Sequence, residues 1–190
     1  PFPTEQAIEI IEKQLGCSLK ETFSEFEDKP IAAASIAQVY SAKLLRDGNE
    51  VAVKVVRPNI QEKIKRDISL MKKLAIKTER YFLDAKRLRL FDLVDEYESV
   101  INTELDMHVE ASNMRQTKRN FKKNNLLYVP EVFLEHCTKE VLVMERISGI
   151  SVDNISLLKE KGINLKLLSE RGVEIFLKQV FIDNFFHADM

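Results

Sequence analysis

Lys54 interrupts the apolar run VAVKVV at residues 51–56. An ammonium in such surroundings is costly unless it meets an anion. The alternative is an edge-strand lysine whose head snorkels to water, and strand alternation alone does not choose. Just before the preceding strand lies AAASIAQV, residues 32–39. A run of small residues lets backbone N–H groups approach a ligand closely, as phosphate-binding loops do. Alanine lacks glycine's access to positive φ, so this is no ordinary glycine-rich loop, and a close-packed strand turn is the other reading. LVMERISG, residues 142–149, is a strand ending in Met-Glu that runs into a glycine-containing connector. Such a connector can offer backbone donors and acceptors to a purine edge; alone it is an exit turn. Last comes FFHADM, residues 185–190, where Asp189 follows an apolar run as a frayed terminal acid or as the start of a catalytic loop.

These residues need elements to hold them. PTEQAIEIIEKQLG reads as a helix with Thr4 as N-cap, Ile8, Ile11 and Leu15 on one face, and Gly16 closing it. RDGNE, centred on Asp47-Gly48, is the turn between two β-like runs. Beyond Pro58, the residues Ile60, Ile64, Ile68, Met71 and Ala75 recur at helical spacing. Another helical stretch runs from about Leu88 towards Asn120, with a break near Asp106. YVPEVFLEH and KEVLVMERI read as two strands joined by a short turn, and the chain is helical again from Asn154. There Leu168, Val173, Phe176, Leu177 and Val180 form the expected inward face. The order predicts an α+β fold with a small antiparallel sheet early and a helical part late.

Composition narrows the function classes. Hydrophobic residues make up 45% and charged residues 31% of 190 residues, an ordinary globular profile. A net charge of −1 gives no global field for nucleic acid. Cys17 and Cys137 form no CxxC pair, and with His108, His136 and His187 they give no zinc spacing. No apolar run reaches the roughly 20 residues of a membrane helix. The chain starts without Met and ends inside a motif, so an internal fragment of a longer protein, itself soluble, is expected. Lys63 to Arg89 is rich in Lys and Arg. It reads as a solvated helix face, with contact to anionic lipid headgroups as a second reading.

The small-residue loop, the strand lysine and the Met-Glu connector, in this order, resemble the protein-kinase pattern. Lys54 stands in VAVK where kinases carry their strand-three lysine; Met144 matches the gatekeeper, and Glu145 and Ile147 the adenine-contacting hinge. The departures are specific. The nucleotide loop is alanine-rich, the catalytic loop reads His-Ala-Asp, and a long helical insertion precedes NTELDMHVEASN. AAASIAQVY, ELDMHVEASN and FFHADM together resemble the UbiB/ADCK family of atypical kinase-like proteins, nearest its bacterial members of ubiquinone biosynthesis, over essentially the whole chain.

That resemblance implies a protein-kinase-like two-lobed fold. The N-lobe with its N-terminal helix and helical insertion is expected over 1–146, and the start of a truncated helical C-lobe over 147–190. It implies that Lys54 holds the α- and β-phosphates of ATP or ADP, with Glu110 as its ion-pair partner; a solvated helix charge is the other reading of Glu110. The loop Ile31, Ala32, Ala33, Ala34, Ser35, Ile36, Ala37, Gln38 and Val39 would cover the phosphates, with a leaning towards ADP. Glu104 and Asp106 match the family's ExD motif, although i, i+2 spacing on one continuous helix would face them apart. Their family partner, a KxGQ motif, is not in this chain. Asp189 would be the catalytic-loop aspartate, and the Mg²⁺ ligands are expected after Met190. His108 and His187 read as structural. The implied activity is that of a kinase-like ATPase supporting ubiquinone biosynthesis, working with its enzymes and lipid intermediates at the cytoplasmic face of the bacterial inner membrane. A Ser/Thr/Tyr protein kinase and a catalytically silent nucleotide-binding scaffold are the alternatives.

Overall fold

The computed structural model describes residues 2–186. Its elements run α1 Thr4–Leu15, α2 Leu19–Thr22, β1 Phe23–Phe26, β2 Ala32–Ala33, β3 Ala37–Leu44, β4 Glu50–Val56, α3 Ile60–Tyr81, α4 Leu83–Leu88, α5 Leu90–Glu104, α6 Met107–Asn120, β5 Val141–Glu145, α7 Ile155–Glu160 and α8 Leu165–Phe181. One antiparallel sheet has the order β1-β3-β4-β5, with the two-residue β2 also paired to β3. This is the α+β class the sequence predicts.

The sheet explains why VAVKVV is apolar almost throughout: both of its faces are covered. Val51, Val53 and Val55 turn to one face and pack with Tyr40, Ala42, Leu44, Val141 and Val143 beneath Ala7 and Ile11 of α1. Val56 and Leu142 turn to the other and pack with Leu105, Met107 and Ala111 at the start of α6. A strand buried on both faces loses the polar alternation of a half-exposed one. Asp47-Gly48 forms the β3–β4 turn as expected, with Gly48 at φ 71° and the Asp47 carboxylate accepting from the Asn49 amide at 3.0 Å.

Several local expectations need correction. Thr4 is the first residue of α1 rather than its cap; its hydroxyl donates to the Asp28 carbonyl at 2.6 Å, tying the helix to a loop. The buried residues of α1 are Ala7 and Ile11. Gly16 does close the helix in the left-handed region, at φ 72°. YVPEVFLEH is not a full strand: it carries one isolated bridge, Val132 to Met144, and a 3₁₀ turn at Leu134–His136. Pro130 cannot donate to a ladder. On α3 only Ile68 and Ala75 are buried, and Met71 is exposed. α8 departs most. Val173, Phe176 and Leu177 are exposed, and the buried residue of the helix is Gln179; beside it the Lys178 ammonium donates to the Asn120 carbonyl at 3.1 Å and lies 4.4 Å from the Phe121 ring centre. Among the described residues no second helical layer covers the apolar face of α8.

The insertion between β4 and α6 is a helical hairpin. Lys72 on α3 donates to Asp95 and Glu98 on α5 at 2.6 and 2.5 Å, and these two carboxylates raise its pKa. Ile68, Ala75 and Val94 form a small core of their own between the helices. Among the described residues no helix is long and apolar enough to cross a membrane.

Candidate functional site

Register brings the first residues together. β3 and β4 pair Val39 with Lys54, and β4 and β5 pair Lys54 with Leu142 and Ala52 with Met144. Directly opposed residues share a face of the sheet. One face therefore presents Val39, Ala52, Lys54, Leu142 and Met144: a lysine set in an apolar patch one side chain deep. Ala52 was absent from the sequence-derived candidates. The signal was available, because residues two apart in a strand share a face; what it lacked was the partner strand.

The anion that Lys54 needs is on α6. Its ammonium donates to both carboxylate oxygens of Glu110 at 2.7 Å, with side-chain exposures of 20% and 35%. The two residues lie 56 apart in sequence, and local chain geometry explains how they meet. α5 ends at Glu104, Leu105 turns into the core, and α6 restarts at Met107, whose amide donates to the Lys139 carbonyl at 3.0 Å. Glu110 then falls in the first turn of α6, where the helix macrodipole favours a negative charge.

The same break resolves the ExD spacing. Glu104 is the exposed last residue of α5. Asp106 is the N-cap of α6, and its carboxylate accepts from the His108 amide at 3.0 Å. Caps of this kind contribute about 1 kcal/mol. The acids sit on two different elements and so need not compete for one helix face.

Ile31 to Val39 forms a tight hairpin. Ala32 pairs with Val39 and Ala33 with Gln38, while the Ala34 amide donates to the Ala37 carbonyl at 2.8 Å. No residue of the loop has positive φ, so alanine suffices where a glycine-rich loop would need glycine. Arg57 holds the tip, donating to the Ala34 carbonyl at 2.8 Å. The amides of Ser35 and Ile36 donate to no described backbone carbonyl. Ile31 to Ser35 are exposed and Ile36 packs on the α6 side. Gln38 departs from the group. Its side chain is fully buried on the opposite face, bonded to Phe2 and to the Tyr40 hydroxyl.

At the hinge, the Glu145 amide is already used, donating to the Glu131 carbonyl at 2.8 Å. Its carboxylate accepts from the Tyr128 hydroxyl at 2.6 Å and from the Glu131 amide at 3.0 Å, and chiefly the Tyr128 bond holds its pKa below the ordinary glutamate value. The same bond raises the Tyr128 pKa. Ile147 is exposed and its amide has no described backbone partner. Cys137 is buried, and desolvation raises its thiol pKa. His108 is exposed on α6, away from any metal-like cluster; among the described residues no group of three or more His, Cys, Asp or Glu is placed to hold a metal. His187 and Asp189 lie outside the described residues.

Comparison with known proteins identifies the family. The pattern of the ABC1 atypical kinase-like domain matches residues 1–190. The chain is 49% identical over 190 residues to a protein of Aeromonas hydrophila described as probable protein kinase UbiB, and 48% identical to its namesake in Azotobacter vinelandii. It spans all of this sequence but 35% of the length of each of those relatives. Among solved structures, the complex of Rv3197 with erythromycin from Mycobacterium tuberculosis superposes with a TM-score of 0.70 at 30% identity, over 82% of this chain and 38% of that one. The family pattern covers the whole chain, and the chain belongs to the family of ABC1 atypical kinase-like domains.

Proposed function

We propose that this chain is the nucleotide-binding part of a UbiB-type atypical kinase or ATPase. The observation that carries the reading is the Lys54–Glu110 pair, held on an apolar sheet face beside a small-residue hairpin. A lysine oriented by a fixed carboxylate can meet a phosphate without first paying the whole cost of desolvation. Val39, Ala52 and Met144 suit the flat face of an adenine, and the Ser35 and Ile36 amides suit its phosphates. The residues therefore fit ADP or ATP. Among the described residues no cluster is placed to hold Mg²⁺, whose ligands are expected after Met190, so no phosphoryl-transfer step is assigned to these residues.

The test is a thermal-shift titration with ADP and ATP, with and without Mg²⁺, beside Lys54→Ala. Nucleotide should raise the melting temperature, ADP more than ATP, and Lys54→Ala should abolish the shift. A folded protein that shows no shift with either nucleotide refutes the reading.

The whole protein is proposed to act in ubiquinone biosynthesis with its partner enzymes and lipid intermediates, at the cytoplasmic face of the bacterial inner membrane. The name borne by the relatives supports the pathway. The insertion supports the surface: Leu70, Leu74, Tyr81 and Phe82 are exposed among the basic residues of α3 and α4. Apolar side chains rimmed by Lys and Arg suit an anionic bilayer surface. The chain should float with anionic liposomes and remain behind with neutral ones; indifference to lipid charge would remove the insertion from this role.

A further inference from the structure

A groove of about 580 Å³ opens between the C-terminal half of α6 and residues 122–131, and it takes no part in the site around Lys54. Arg115, Lys118, Arg119 and Lys122 line it. Arg115, Lys118 and Arg119, at spacings of three and four, share one face of α6, and Lys122 follows in the turn just past the helix end. Glu131 is the one acid in the lining, and it is occupied with Lys118. Arg119 donates to the Gln116 side chain, while Arg115 and Lys122 have no acidic partner among the described residues. The floor is apolar: Phe121 is buried, and Leu127 and Val129 are half-buried.

The helix macrodipole accounts for cations in the last turn, such as Lys118 and Arg119. It does not account for Arg115, a turn earlier. Nor does it account for the like-charged i, i+4 pair Arg115 with Arg119, which repels in the absence of an anion. Guanidinium and ammonium groups converging above an apolar floor match a phosphate-bearing ligand.

We propose that this groove binds a phosphate- or diphosphate-bearing anion, with its apolar part against Phe121 and Leu127. The proposal stands whether or not Lys54 holds a nucleotide. The groove also reaches the hinge. Tyr128 lines it and donates to Glu145, and the amide of Glu131 donates to the same carboxylate. An entering phosphate competes with Glu131 for Lys118, on the helix that carries Glu110.

Calorimetric titration of the chain with inorganic pyrophosphate tests this. Saturable binding is expected. It should weaken at least tenfold in Arg115→Ala/Lys122→Ala and persist in Lys54→Ala. Both groove residues are exposed, so the fold should survive, and Arg115→Gln/Lys122→Gln provides a second variant of closer shape. A parallel titration with short-chain phosphatidic acid, kept below its micelle concentration, identifies the source of the phosphate. Tighter binding than pyrophosphate assigns a lipid headgroup with its chain on the floor; equal or weaker binding assigns a free phosphate. Absence of saturable pyrophosphate binding, or binding lost in Lys54→Ala and kept in both groove variants, overturns the proposal.

Discussion

Glu110→Gln is expected to leave the chain folded and to weaken ADP binding about tenfold, a loss of about 1.4 kcal/mol. The two effects separate because the docking of α6 does not depend on this side chain. Leu105, Met107 and Ala111 anchor the helix in the core, and Asp106 caps it. The pair itself is partly solvent-exposed, at 20% and 35%, so its direct contribution to stability should stay within about 1 kcal/mol. What the glutamine loses is the charge that holds the Lys54 ammonium in place by two bonds at 2.7 Å. An unoriented lysine must be ordered by the incoming phosphate, and that cost appears in the affinity. Lys54→Ala should cost more, because the cation itself is gone. The double variant should lose less than the sum of the two, since each single change already breaks the pair. Equal ADP affinity in the native protein and Glu110→Gln would show that Glu110 does not orient Lys54 for a nucleotide.

Gln38→Leu should be the most damaging single polar change, lowering stability by roughly 2–4 kcal/mol. For a chain of this size that corresponds to a fall of about 4–16 °C in melting temperature. Gln38 is fully buried, and its amide satisfies three groups. It accepts from the Phe2 amide at 2.7 Å, donates to the Phe2 carbonyl at 3.1 Å, and donates to the Tyr40 hydroxyl at 2.7 Å. Leucine keeps the volume but leaves the buried Tyr40 hydroxyl without its donor and releases the residues ahead of α1. Pairing it with Tyr40→Phe should recover part of the loss, because both polar partners then leave together. Urea unfolding of the three variants checks the order. A Gln38→Leu protein as stable as the native chain would mean that water replaces the glutamine in full.

Gln38 also marks where reading the sequence stops. It belongs to AAASIAQV, and nothing in that run separates the residues that look towards Lys54 from those that look away. The β2–β3 hairpin makes the division by alternation: Val39 shares the Lys54 face, and Gln38 takes the opposite one. Ala52 was overlooked for the same reason. Its place beside Met144 is a matter of which strand lies next to β4, and β5 follows β4 only after 84 intervening residues, 57–140. Local signals served better where the physics is local. The break near Asp106, the turn at Asp47-Gly48 and the left-handed Gly16 each depend on one or two residues and on bonds within a turn. Periodicity misled on α8, because an apolar face reports what a helix can bury and not what is there to cover it. Val173, Phe176 and Leu177 are right for a core, yet all three stay exposed among the described residues.

By itself, then, the sequence determined the α+β class, the elements near Lys54, and, through the small-residue loop and the ELDMHVEASN and FFHADM motifs, the family to which the chain belongs. These follow from short-range propensity and from residue types in a fixed order. The resemblance named Glu110 as the partner of Lys54, and the tertiary structure set the pair's geometry. Only the tertiary structure decided that Gln38 holds the chain's N-terminal segment, that Ala52 and Met144 stand beside Lys54, and that a groove opens beneath the cations of residues 115–122. Each of these depends on strand register or on how elements pack, which is set by burying two separate cores against opposite faces of one sheet.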